Sequence, residues 1–399
     1  MMKREISYIL QYREDEPEFC TRYLFYRNAN VFRQNLVSSI PFRIDIGAEF
    51  NLHLKNREAK IALTAMRREY VIDIDMNDYD GIRTCCSGKK LCNSCWTFME
   101  AAYKVLREVL YEIFGFNKIL WVFSGRRGMH AWVCDQEAMG MESYERKSIT
   151  NYLNVTVNND KSDRLVIQES LSKMEQVHLF KICQRVLLPY EGFIFGEQNF
   201  LGHPKKGEEN FKRILTVLKR HYKEAKMNFG DGEIYKKARD SLKTQNYEKE
   251  GQFSSKLFET MLMIFNNDIK DQESKRDKTD KIRNNEVELT KKFKFEVIVG
   301  LLYPKIDSAV SSHTNHLLKA PFNIHSSSLL LSVPVDPENF DIKKIPSIQD
   351  IISGKASLKE YLQNFRGFVN SLKVQVPEIE KTQIAPFILG ESQRKKIHA

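Results

Sequence analysis

Two kinds of hydrophobic spacing divide the chain. Over the first seventy residues apolar and polar positions alternate. Ile6, Tyr8 and Leu10 fall on one face of a predicted strand, Phe19 to Tyr26 form another beyond the polar stretch Arg13 to Pro17, and Phe42 to Gly47 alternates again. Tyr70-Val-Ile-Asp-Ile-Asp75 predicts a further strand. Trp96, Met99, Tyr103, Leu106, Leu110 and Phe114 then recur at three and four, the spacing of an amphipathic helix, and Gly115 stops it. Ile119 to Phe123 predicts a buried strand, with a second running through Trp132 to Cys134.

From Glu142 to Thr290 the spacing turns helical. Phe211, Ile214, Leu215, Leu218 and Tyr222 predict one helix, and Phe258, Met261, Leu262 and Phe265 another. Asn266 to Asn285 is so charged and so poor in apolar residues that it predicts a mobile loop. Phe295, Ile298, Val299 and Leu302 predict a helix ended by Pro304, after which Lys305-Ile-Asp307 is extended. Val333 to Asp336 closes the ordered pattern, Ile345 to Val374 adds a helix, and the tail beyond Pro377 ends basic with Arg394, Lys395 and Lys396.

In the strand Tyr70 to Asp75, alternation puts Val71, Asp73 and Asp75 on one face and Ile72 and Ile74 on the other. Residues two apart in a strand are about 6.6 Å apart, so the two carboxylates repel unless something compensates them. Either a proton on one carboxyl or a divalent cation does so. Hard cations with oxygen ligands, Mg2+ or Mn2+, suit the second case. An isolated Asp-x-Asp is more often a pair of solvated surface residues, so the weight falls on its flanks.

Downstream, Cys85, Cys86, Cys92 and Cys95 form a C-C-x5-C-x2-C cluster. Four thiolates close a tetrahedral Zn2+ site and leave no open position, which makes it structural. The chain has seven cysteines, and Cys20, Cys134 and Cys183 are scattered. An odd, dispersed count is not a disulfide framework and fits a reducing compartment.

Between the two predicted strands lies Ser124-Gly-Arg-Arg-Gly-Met-His130. Gly125 and Gly128 permit backbone conformations closed to other residues and let a ligand approach. Arg126 and Arg127 are bidentate donors to phosphate oxygens, and Ser124 and His130 add further donors. The set suits a triphosphate. It is not a Walker loop, because no Gly-Lys-Ser/Thr follows. An ordinary basic hairpin is the plain alternative for Gly-Arg-Arg-Gly alone.

Composition narrows the class. The length of 399 residues favours more than one subdomain, and a hydrophobic share of 42% is that of a globular chain. Lysine and arginine number 62 against 52 acidic residues, a net charge of +10 that favours anionic partners such as nucleic acid or nucleotides. No apolar run of about eighteen residues appears, and the first residues lack the apolar core of a signal peptide. A soluble intracellular protein is expected, with no membrane association.

Five blocks together carry a resemblance. They are residues 43 to 48 (Arg-Ile-Asp-Ile-Gly-Ala), 73 to 80 (Asp-Ile-Asp-Met-Asn-Asp-Tyr-Asp), the cysteine cluster ending Cys95-Trp96, 121 to 135 (Trp-Val-Phe-Ser-Gly-Arg-Arg-Gly-Met-His-Ala-Trp-Val-Cys-Asp), and Ile306-Asp307 through Asn315 to His325. The chain resembles the small, catalytic subunit of eukaryotic DNA primase, in the archaeo-eukaryotic primase superfamily. The likeness spans roughly residues 4 to 140 and 295 to 336, is faint across the helical middle and is absent from the tail. Family members usually carry a further helical segment before the block that begins at Arg4, which bears on the packing around Glu5 and Arg22.

The resemblance implies a mixed α/β catalytic core with an inserted helical subdomain. It divides the chain into a core at 1–141 and 291–345 with the zinc motif at 85–95, a helical subdomain at 142–290, and a C-terminal helix and basic tail at 346–399. It implies that Asp73, Asp75 and Asp307 bind two catalytic Mg2+ or Mn2+ ions, and that Cys85, Cys86, Cys92 and Cys95 bind Zn2+. Ser124, Arg126, Arg127, His130, Lys319 and His325 then handle the incoming triphosphate, with Arg22 near the nucleotide and Asp45 facing the sugar.

The implied activity is synthesis of short RNA primers from ribonucleoside triphosphates on single-stranded DNA. The implied partners are a large primase subunit and the DNA polymerase alpha complex, and the implied compartment is the nucleus. Three alternatives stay open: a primase-polymerase of the same superfamily acting in damage tolerance, a non-catalytic zinc-containing nucleic-acid adaptor, and a nuclease using the same carboxylates. The retained carboxylates, which repel phosphate unless metal is bound, weigh against the adaptor. The triphosphate-type donors weigh against the nuclease.

Overall fold

The structure is a computed structural model that describes residues 3–11, 17–56, 63–155, 177–225, 227, 229, 233–243, 252–274 and 283–372. The alternating segments at the start become strands β1 (Arg4–Leu10), β2 (Phe19–Leu24) and β3 (Arg43–Phe50), as their period of two requires. Between β2 and β3 lies a helix the spacing did not announce, α1 (Ala29–Ser39). Asn28 caps its first turn by accepting the Val31 N–H, and Ile40 ends it in a left-handed conformation. No residue of α1 is buried, so no apolar stripe marked it in the sequence.

Short β4 (Ala65–Arg67) leads into β5 (Tyr70–Asp75). The helix predicted from Trp96 onward is α2 (Asn93–Glu112), and Gly115, at φ +73°, ends its last turn with Phe116 N–H on Leu110 O at 2.8 Å. The expected hairpin is β6 (Ile119–Phe123) and β7 (Gly128–Val133), paired antiparallel from Ile119↔Val133 to Phe123↔Met129. Short α3 (Gln136–Gly140) and α4 (Ser143–Leu153) follow.

The helical middle comprises α5 (Val177–Leu187), α6 (Gly207–Glu224), α7 (Glu233–Lys243), α8 (Phe253–Ser274) and α9 (Arg283–Leu302). Helix α8 runs into the stretch whose charge predicted a mobile loop, because Met261, Phe265 and Ile269, four apart, are all buried along one stripe. Residues 275–282 of that stretch lie outside the described residues. Asp307 caps α10 (Ser308–Ser312), and β8 (Leu318–Lys319) is a two-residue strand. The predicted C-terminal helix is two: α11 (Ile348–Ile352), opened by a Ser347–Asp350 capping box, and α12 (Lys359–Ser371). The basic tail lies outside the described residues.

Contacts divide the chain into two compact units. One comprises Met1–Ile74, Leu110–Leu153 and Ile306–Ala399, and the other Asp75–Val109 and Asn154–Lys305, in each case the described residues only. The first holds two sheets. Strands run β2-β1-β3-β4 in one, with β8 also on β3, and β5-β7-β6 in the other. Every recorded pairing in the first sheet is antiparallel. Residues 333–335 cover the outer edge of β6, through Phe123 N–H to Val333 O and Val335 N–H to Trp121 O, so that edge is not left open.

Val71, Val122, Trp132, Cys134 and Leu318 form a buried cluster, against which Val310 and, from the C-terminal helix, Phe368 pack. At roughly 1.5–3 kcal/mol for each large apolar side chain buried, such clusters fix the strands that carry the polar residues. The second unit is packed largely through aromatic rings, among them Phe195 stacked on Phe258 at 4.0 Å. The mixed α/β class with a helical insertion is thus observed. Among the described residues no helix is long and apolar enough to cross a membrane.

Candidate active site

Strand β5 turns polar at its exit. Tyr70 to Ile72 and Ile74 are buried, whereas Asp73 and Asp75 are half-buried; Val71, on the face of the two aspartates, still lies in the core, so the alternation shows only from Ile72 onward. On the neighbouring strand His130 brings its Nε2 to 3.5 Å from Asp73 Oδ1. Asp307, more than two hundred residues away in sequence, donates its backbone N–H to the Asp73 carbonyl at 3.0 Å. Asp75 Oδ1 accepts the Asn77 N–H at 2.8 Å, and Asp307 Oδ1 accepts the Ala309 N–H at 2.9 Å. Both therefore double as helix caps. Among the described residues, only the four cysteines gather three or more metal-type donors tightly around one point.

The turn between β6 and β7 is closed by Ser124. Its N–H bonds to Gly128 O, and its hydroxyl accepts the Gly128 N–H, both at 2.9 Å. Of the two glycines only Gly125 has a positive φ, +90°. A Cβ there would lie 3.0 Å from His325 Cβ and 3.2 Å from Leu330 O, so the turn presses against the loop that carries His325. Ser328 Oγ bonds to Gly125 O at 2.5 Å. Arg126 is half-buried and Arg127 buried.

Lys319 reaches the same turn. Its Nζ donates to Ser124 O at 3.1 Å, and burial, followed by the nearby Arg43, lowers its pKa to about 8. On the sheet it stands opposite Asp45. Asp45 is buried, with both oxygens held by Arg43 at 2.9 and 2.8 Å. Buried Asn323 fixes the loop beyond β8, its amide bonding Ile44 N–H, Ile44 O and Ala320 O.

Arg22 lies on β2, its guanidinium bidentate to buried Glu5 at 2.9 and 3.1 Å and a further N–H 3.4 Å from Asn315 O. The Glu5 hydrogen bond raises its pKa. Gly47 makes room for this pair, since a Cβ would stand 2.5 Å from Glu5 Oε2.

In the second unit the four cysteine sulfurs lie within 4.8 Å of one another. The Cys92 and Cys95 sulfurs are 3.7 Å apart, close to the roughly 3.8 Å edge of a tetrahedron with Zn–S bonds of about 2.3 Å. The donor set therefore fits zinc. Fully buried Arg83 donates to Gly88 O and Lys90 O inside the cysteine loop, both at 2.8 Å, and stands 3.7 Å from Cys95 Sγ. Gln198 Nε2 lies 3.3 Å from Cys85 Sγ. Lys206 bonds Asp80 O and Arg83 O at 2.7 and 2.9 Å and anchors that loop.

Several of these groups carried no sequence signal: the key partners of Gln198 and Asn323 lie more than a hundred residues away, and Arg83 bonds mainly backbone carbonyls, which no side-chain pattern marks. Arg43 did carry one. In an Arg-x-Asp strand both side chains share a face.

A family model described as DNA primase small subunit matches residues 72–337. The chain belongs to the DNA primase small subunit family. It is an enzyme, a DNA primase acting in DNA replication. Its relatives include the DNA primase small subunit of Drosophila melanogaster, 33% identical over 354 residues, which cover 88% of this chain and 73% of that protein. The Saccharomyces cerevisiae small subunit is 30% identical over 361 residues, covering 88% of this chain and 80% of its own. That of Schizosaccharomyces pombe is 28% identical over 365 residues, covering 90% and 73%. In this primase the match takes in β5 from Ile72 onward, the cysteine cluster, the Ser124 turn, Asp307, Lys319 and His325, whereas Arg22 and Asp45 fall ahead of it.

Proposed function

We propose that this primase synthesises short RNA primers on single-stranded DNA by nucleotidyl transfer from ribonucleoside triphosphates, with Asp73, Asp75 and Asp307 holding two Mg2+ or Mn2+ ions. The observation that carries this is the hydrogen bond from Asp307 N–H to the Asp73 carbonyl, which brings a third carboxylate to the strand that bears the first two. Carboxylate oxygens are the donors hard cations require. When bound, such a pair stabilises the entering and leaving oxygens of an in-line displacement.

The chain's own residues do the positioning, which is most of what phosphoryl transfer demands. Arg126, Arg127, His130, Lys319 and His325 bind the triphosphate, with the Ser124 hydroxyl beside them. The Lys319 ammonium at the base of the turn supplies positive charge from a semi-buried site, where it is worth more than in water. His130 donates toward phosphate while orienting Asp73. Arg22, held by Glu5, lies near the nucleotide, and Asp45 faces the sugar with Arg43 on its carboxylate. Cys85, Cys86, Cys92 and Cys95 hold a structural Zn2+.

Beyond the chain, the partners are a large primase subunit and the DNA polymerase alpha complex, with action in the nucleus. The small-subunit name of the relatives supports an assembly of that kind. The test is incorporation of labelled ribonucleotides on a single-stranded homopolymer by Asp73→Asn protein, with and without the large subunit. Synthesis should collapse in both cases. Undiminished synthesis would overturn the metal role, and a preference for deoxyribonucleotides would overturn the primer reading.

A further inference from the structure

Arg68 carries no role in the chemistry above, yet it is among the most buried charges in the protein, with no exposed surface. Among the described residues its guanidinium bonds backbone carbonyls: His316 O at 2.6 Å, Val310 O at 2.9 Å and Glu69 O at 3.3 Å. Burial lowers its pKa to about 9, so it remains protonated at neutral pH. A second fully buried arginine, Arg146, braces the backbone from which it projects, donating to Arg68 O at 2.6 Å and Glu69 O at 3.1 Å. Burying two guanidiniums is costly unless their donors are satisfied; Arg146 spends its donors on the backbone of residues 68–69 and 138–141, and Arg68 directs two of its three bonds to one short piece of chain.

That piece is the segment from Asp307 to Lys319. It lies along β5 and the residues before it in three steps. Asp307 N–H bonds Asp73 O, the Ser311 hydroxyl bonds Val71 O at 2.9 Å, and Arg68 takes Val310 O and His316 O. The first two steps hold the Asp307 end. Beyond His316 the chain leaves for β8, where Lys319 meets Asp45 and Ser124. Arg68 is therefore the last side-chain tether on this segment before the chain enters β8.

We infer that Arg68 is a positioning residue for the incoming nucleotide: by binding Val310 O and His316 O it fixes the reach of the segment between Asp307 and Lys319, and so places the Lys319 ammonium on the triphosphate. This rests on the proposed role of Lys319. Loss of Arg68 should weaken nucleotide binding through Lys319 while leaving the Asp307 end, and with it the metal requirement, in place. General loosening would instead lower the active fraction, reducing kcat without moving KM.

The test compares Arg68→Met, Arg68→Lys, Lys319→Ala and Arg68→Met/Lys319→Ala in ribonucleotide incorporation, with folding followed by thermal melting. Arg68→Met should raise nucleotide KM roughly tenfold, the scale of a weakened charge-assisted contact, at an unchanged Mn2+ midpoint. Arg68→Lys, able to reach one carbonyl, should fall between, and decides the matter if Arg68→Met does not fold. In the double variant the KM effects should fail to add, since both act through one contact. Additive effects, or a lower kcat at unchanged KM in folded Arg68→Met or Arg68→Lys, would overturn the inference. If Lys319→Ala itself leaves KM unchanged, the nucleotide role of Lys319 fails and the inference falls with it.

Discussion

Lys319 Nζ donates to the Ser124 carbonyl at the base of the β6–β7 turn, a 3.1 Å contact between residues 195 positions apart. It joins the sheet that carries Asp45 to the sheet that carries Asp73, inside one compact unit.

The pKa of Lys319, lowered to about 8 mainly by burial, makes a pH prediction. Its charged form binds phosphate, and the free enzyme's pKa governs kcat/KM. The ratio kcat/KM for nucleotide should hold below pH 8 and fall as pH rises through it. Lys319→Arg, charged throughout, should remove that fall. For stability the sign is opposite. The unfolded lysine holds its proton to a higher pH than the folded one, so this group's contribution to stability increases as pH rises from about 8 toward the ordinary lysine value. Rate profiles and thermal melts across that window check both.

Asp307 has separable roles, because its side chain caps α10 while its carboxylate is proposed to bind metal. Asparagine caps a helix about as well as aspartate but is a poorer ligand for a hard cation. Asp307→Asn should therefore keep its thermal stability to within about 0.5 kcal/mol and lose on the order of 100-fold or more in primer synthesis. A melt and an incorporation assay on one preparation separate the two.

The cysteine cluster predicts a metal content. Wild-type protein should carry one equivalent of zinc by elemental analysis, and Cys92→Ser less than one. Arg83→Met should load zinc but bind it roughly 10–100-fold more weakly in chelator competition, the usual consequence of losing a residue that supports the ligands. Full occupancy in Cys92→Ser would remove that cysteine from the ligand set.

Gly125→Ala tests the turn. The positive φ and the 3.0 Å approach to His325 Cβ should cost about 1–3 kcal/mol, and nucleotide KM should rise as the turn carrying Arg126 and Arg127 shifts. Gly128→Ala, at a position without positive φ, should be milder in both measurements.

Local pattern made much of the site legible. The period of two in Tyr70 to Asp75 defined both the strand and the shared face of Asp73 and Asp75. The glycines and arginines of 124–128 marked a turn with phosphate donors, and the spacing of four cysteines marked a metal cluster. Each signal lies within a dozen residues, where backbone periodicity alone sets which side chains are neighbours. Helix α1 escaped because it buries no face. The extension of α8 escaped because beyond Phe265 a single buried position, Ile269, stands among many charges and cannot outweigh composition.

What the sequence alone determined is the chemistry on offer: the carboxylates, the arginine turn, the thiols and the elements that bear them. Tertiary structure alone decided which distant pieces meet. The Asp307 contact with β5, the placement of Lys319 between Asp45 and Ser124, and the hold of Arg68 on residues 310–316 all end on backbone atoms. Every residue but proline offers the same N–H and carbonyl, so nothing in the side-chain pattern announces which of them will pair.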